Sequence, residues 1–128
     1  MDCMKALMLP NTRIRLSDVR LVVMTTPNVD VAERIVRGLV DEGIVACGNI
    51  LPGARSIYRW QGGVESESET IVLLKTTAAQ VPRLLQRAPE LHPYDVPELL
   101  VVDVTDGHPP YLRWVETSVA ELVGENGA

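Results

Sequence analysis

Two histidines and two cysteines are the only imidazole and thiol groups in the 128 residues. Soft-metal or proton-transfer chemistry therefore has few carriers: His92, His108, Cys47 and Cys3. His92 heads the run His92-Pro93-Tyr94-Asp95-Val96-Pro97-Glu98. Each proline there restricts the residue before it, so the imidazole sits on a rigid loop. In that setting it can ligate a metal, carry a proton, or order the loop through a hydrogen bond. His108 precedes Pro109-Pro110 and reads as a helix-start residue. Cys47 lies among Val45, Ala46 and Ile50, which favours a buried inert thiol. Exposed and ionised, it would be a copper ligand or a nucleophile. Lys75 ends an apolar run at 71–74, and a charge there must reach solvent or a partner. Glu67 and Glu98 are candidate partners, giving either an anion-recognising site or an interface ion pair. Tyr58, Trp60, Tyr94 and Trp114 are four of the five aromatic residues. Such amphipathic rings serve as interface anchors or as walls of a ligand site.

Composition narrows the classes. Apolar residues make up 46% and charged residues 23%, as in ordinary globular domains. Twelve basic against 17 acidic side chains leave a net charge of −5, which argues against nucleic acid and anionic membrane surfaces as partners. No apolar run approaches the roughly 20 residues that span a bilayer. The apolar stretch at 6–9 is too short for an export signal, and two cysteines make no disulfide framework. A cytoplasmic protein with free thiols is expected. An RNA-recognition sheet needs exposed aromatics in its central strands; the runs at 21–26 and 71–75 have none, and the chain has no Phe.

The elements that must position these residues follow from periodicity. Residues 1–18 show no clear period and read as an N-terminal extension, leaving 19–128 as one domain. Leu21-Val22-Val23-Met24 is a strand, and its unbroken apolar character suggests cover on both faces or a central place. Val31, Ala32, Ile35, Val36, Leu39 and Val40 form a helical stripe, capped by Thr26 or Asn28 and ended at Gly43. Gly38 inside it suggests close packing on the sheet. A strand begins at Ile44, is interrupted at Pro52-Gly53 and resumes through Trp60. Gln61-Gly62-Gly63 turns the chain, and 64–75 returns as a strand with a polar first half and an apolar second half. A second helix carries Val81, Leu84, Leu85, Ala88 and Leu91. A strand at 99–104 follows, then a last helix with Leu112, Val115, Val119 and Leu122, and Gly124 past its end. The order is that of an α+β ferredoxin-like βαββαβ sandwich with an extra C-terminal helix, its first and third strands central.

The hairpin around Gly62 is too long for a lone domain. Its arms run roughly 12 to 16 residues, against the usual 5 or 6. An outer arm carrying Ile57, Tyr58 and Trp60 would be an aggregation-prone edge. Pairing between copies, closed by symmetry, removes it, so an obligate oligomer is expected.

Several motifs in order resemble the CutA family of divalent-cation tolerance proteins: the stretch from Cys47 through Trp60, Leu74-Lys75-Thr76-Thr77, the loop His92 to Glu98, the opening Thr25-Thr26-Pro27 and the closing Tyr111-Leu112-Arg113-Trp114. The resemblance spans about 20–123. It implies a homotrimer with hairpins pairing between subunits, and a link to divalent metals, chiefly copper. It also implies a non-catalytic role in which a metal ion or small effector binds at subunit clefts. In members linked to copper, a Cys at the end of the first strand and His before the Pro-Tyr turn are involved; here those positions hold Met24, Leu91 and His92. His92 is thus the expected metal ligand, with Lys75, Glu67, Tyr58, Trp60, Tyr94, Glu98 and Cys47 as expected ligand-binding residues. Gly48 stands where the family usually has Val, implying a looser edge. The alternatives are a signalling or scaffold trimer resembling nitrogen-regulatory proteins, without a physiological metal, and an enzyme with Cys47 or Lys75 as nucleophile and His92 as base.

Overall fold

The apolar run at 21–24 lies within β1 (Val19–Thr26). Asn28 then starts α1 (Val29–Asp41) by accepting the Val31 N–H on its side-chain oxygen. The helix stops at Glu42, and Gly43 takes the left-handed conformation at φ 73°. A Cβ at Gly43 would also lie 2.8 Å from Ala120 Cβ. The position demands glycine twice over. Next come β2 (Cys47–Trp60) and β3 (Gly63–Thr77), joined by a turn in which Gln61 and Gly62 both have positive φ. A single 3-10 turn, Ala78–Gln80, leads into α2 (Val81–Leu91), followed by β4 (Leu99–Asp103) and α3 (Pro109–Ser118). The structure, a computed structural model, describes residues 17–121. Cys3, Leu122, Gly124 and most of the 1–18 extension lie outside them. Ser17 is tied down, its hydroxyl donating to the Val104 carbonyl at 2.6 Å.

The sheet order is β2-β3-β1-β4, all antiparallel, with the first and third strands central as expected. One face packs on α1 and α2 around Val22, Met24, Ile35, Leu39, Val72, Leu74 and Leu84. Met24 is fully buried there, which makes it core. Gly48 does not loosen the edge. A Cβ there would sit 3.0 Å from Leu74 Cδ2 and Val36 Cγ1, so its absence lets β2 close on the core. Gly38 faces Leu91 of α2 rather than the sheet.

The second face corrects one expectation. Leu21, Val23, Ile71 and Leu73 are only half-buried, because no helix among the described residues covers the middle of that face. Their sheet neighbours Leu51 and Leu100 are 45% and 57% exposed. Among the described residues one end is covered, where Val115 of α3 packs on Val19 and Ala46. The periodicity showed that the central strands carry apolar residues on both sides; it could not show that one side is left bare in a single copy.

The hairpin divides into two parts. β1 pairs with β3 only from Thr70 to Thr77. Beyond that point Ala54–Trp60 of β2 and Gly63–Glu69 of β3 pair with each other alone, past an irregularity between Leu51 and Ala54 where Gly53 has φ 90°. A two-stranded ribbon of some 20 Å or more projects from the sheet.

Candidate functional site

Where the ribbon leaves the sheet, the loop 92–98 approaches it and the two enclose a cleft of about 710 Å³. The alternation of β3 puts Glu65, Glu67 and Glu69 on one face of the ribbon, opposite Tyr58, Ser56 and Ala54 of β2. Glu69 is the point of attachment. Its carboxylate accepts the Ser56 hydroxyl at 2.5 Å and the Tyr94 hydroxyl at 2.8 Å, so ribbon and loop meet on one residue. Tyr94 is in turn held by His92. The Tyr94 backbone N–H donates to His92 Nδ1 at 3.1 Å, and the rings meet at a tilt of 52° with centroids 4.7 Å apart. With Nδ1 an acceptor, Nε2 carries the proton and donates to the Thr25 carbonyl at 2.8 Å. His92 thereby lashes the loop to the end of β1, and it is 8% exposed.

Electrostatically the cleft is one-signed. Glu67, Glu69, Asp95 and Glu98 line it, and among the described residues no lysine or arginine does. Both phenols respond. Burial, then the hydrogen bond to Glu69, pushes the Tyr94 hydroxyl well above its ordinary value. Partial burial and then the Glu67 carboxylate push Tyr58 up in the same direction. Tyr58 and Trp60, 38% and 58% exposed, present aromatic surface to the same space.

The expected ligand-binding residues thus fall into two groups. Tyr58, Trp60, Glu67, Tyr94 and Glu98 line the cleft, and His92 holds its loop. Lys75 and Cys47 do not belong to it. Lys75 stands eight residues from Glu67 along β3, roughly 26 Å at about 3.3 Å per residue. Glu67 is therefore not its partner within one chain. Lys75 donates to Asn49 Oδ1 instead, and Glu98 sits in the cleft. Cys47 is the register partner of Lys75 and is half-buried, its sulfur 3.7 Å from the Tyr111 hydroxyl. Burial and that thiol raise the Tyr111 phenol. His108 supplies the backbone carbonyl that starts α3, accepting the Tyr111 and Leu112 N–H groups. Glu69, Ser56 and Asp95 were missed. The alternation of Glu65, Glu67 and Glu69 was the available signal for Glu69; Asp95 and Ser56 reach the site only through loop and cross-strand geometry.

Among the described residues no three His, Cys, Asp or Glu side chains converge closely enough to hold a metal ion. Glu69 has both oxygens engaged, and His92 has both ring nitrogens engaged. A metal would take His92 only by breaking a bond that orders the cleft.

The comparisons with known proteins agree with one another. A family model described as CutA1 divalent ion tolerance protein matches residues 20–118. A divalent-cation tolerance protein CutA of Thermus thermophilus is 44% identical over 95 residues, covering 74% of this chain and 92% of that one. Protein CutA of Mus musculus is 40% identical over 104 residues; 81% of this chain is covered, but it spans only 58% of the mouse protein. The crystal structure of CutA from Xylella fastidiosa superposes with a TM-score of 0.79 at 45% identity, covering 81% of this chain and 100% of that one.

Proposed function

This chain belongs to the CutA1 divalent ion tolerance family, and on that footing we propose that it works as a non-catalytic homotrimer whose acidic clefts take up cationic ligands at the subunit seams. The single observation that carries the ligand half is the lining of the cleft: four carboxylates, three aromatic rings and no basic side chain. Such a site raises the local concentration of cations and repels anions. The assembly half rests on the ribbon and the bare sheet face, and the number three is what the family resemblance implies. A two-stranded ribbon is marginal in water, β2 is an unprotected edge over its whole length, and Leu51, Leu100 and Val102 are exposed on the open face. Covering these surfaces with copies of the same chain satisfies all three.

The cation in this reading is cargo, copper or another divalent ion in keeping with the family, and the cytoplasm is the expected compartment. One protomer offers carboxylates without a closed donor set, so a second subunit completes the coordination. No helix among the described residues is long and apolar enough to cross a membrane.

The test is calorimetric titration of the full chain with Cu(II), Cu(I) and Zn(II), repeated on Glu67→Gln with Glu98→Gln and on His92→Ala. Saturable heat that the double carboxylate variant abolishes supports the cleft. Heat unchanged in that variant rejects it. Equal heats in His92→Ala remove His92 as a ligand and leave it as the residue that orders the loop.

A further inference from the structure

We infer that the cleft is shaped for a small organic ammonium ion rather than for a bare metal; this rests on the proposal that the cleft takes cations and names the class. Three observations converge. The cleft holds about 710 Å³, within the range of small-molecule sites and far beyond what one desolvated metal ion fills. Its wall is aromatic, since Tyr58, Trp60 and Tyr94 all line that space. Its carboxylates are spread along strand and loop instead of converging on a point. Glu67 stands on β3, Asp95 and Glu98 on the loop, and Glu69 is capped by Ser56 and Tyr94.

A metal ion rewards a few oxygen atoms at coordination distance. An alkylammonium ion spreads its charge over a larger apolar surface. It is attracted by ring faces within about 6 Å and by carboxylates that need not touch it directly. Distributed carboxylates beside Trp60, Tyr58 and Tyr94 match the second pattern. Glu69 keeps a structural task, fixing Tyr94 in the wall, while Glu67 and Glu98 supply the remaining charge.

The test uses the full chain and three probes: choline chloride, its neutral isostere 3,3-dimethylbutanol, and zinc sulfate. Binding is followed by calorimetry and by Trp fluorescence. Choline is expected to give saturable binding and the neutral alcohol none. Trp60→Leu is expected to weaken choline about threefold to fivefold, the scale of a partly exposed cation–aromatic contact, and Glu67→Gln to weaken it by a similar factor. Sedimentation checks each variant. If Trp60→Leu loses the wild-type mass, Glu67→Gln, which keeps the side-chain shape, decides. Zinc bound in a Glu67-dependent way with no choline binding overturns this inference and leaves the cationic cleft standing. Binding of neither overturns both. Choline binding that Trp60→Leu and Glu67→Gln leave unchanged, or that the neutral alcohol equals, also overturns the inference.

Discussion

The two ends of the β2–β3 hairpin obey different rules. At its root, Val72 and Leu74 are fully buried against α1 and α2 and held on both sides by neighbouring strands. At its tip, Ile57 and Val64 are each 68% exposed on a ribbon with no third strand. The root is stabilised by burial within one chain. The tip gains little from its own chain and offers apolar, aromatic and acidic groups to something else. The difference teaches where to look for function: the cleft lies at the junction, where the self-sufficient part of the sheet fixes the base of a ribbon that is not self-sufficient.

Substitutions at the two ends should separate accordingly. Leu39→Ala removes a fully buried side chain from the core and is expected to cost about 2–5 kcal/mol in chemical unfolding. Gly43→Ala forces a left-handed backbone and a 2.8 Å approach to Ala120; about 2–3 kcal/mol is expected to be lost. It should also loosen the segment whose Ala120 N–H donates to the Gly43 carbonyl. A value near zero would mean that segment yields without resistance.

At the junction, Tyr94→Phe removes one hydrogen bond to Glu69, and about 1 kcal/mol is expected. This variant also has a pH signature. The Tyr94 phenol is raised in the folded chain, so its contribution is whole below the ordinary value of 10.0 and fades as pH rises beyond it. Wild type and variant should therefore converge in alkaline solution; parallel profiles would contradict the assignment. The smallest effect is expected for Arg87→Ala. The hydrogen bond from Arg87, which also pairs with Glu90, lowers Glu42 below its ordinary 4.5. That contribution is present above this value and lost as pH falls through the depressed one. The variant should thus show a shallower loss of stability in acid, and an unchanged acid profile would show that the pair contributes nothing.

The contrast also marks what the sequence could tell. Elements built on local signals were legible: the Asn28 cap, the Gly43 stop, the Ile35 and Leu39 stripe, the turn at Gly62, and the central placing of β1 and β3. The junction was legible only in part. Tyr58, Trp60, Glu67, Tyr94 and Glu98 stood out by type. Lys75 and Glu67 do not pair within one chain, because strand geometry places them far apart, a fact of rise per residue that spacing along one β-strand already contained. The contact of Ser56 and Tyr94 with Glu69 depends on the register after the irregularity at Leu51/Ala54. A one-residue slip there would turn every later side chain of β2 to the other face; Pro52-Gly53 announces the interruption but not the register that follows it.

Sedimentation equilibrium of the full chain at low micromolar concentration tests the central claim most directly. The proposed homotrimer predicts a particle of three 14.1 kDa chains that persists on dilution. A soluble, folded species of one chain across that range would contradict it.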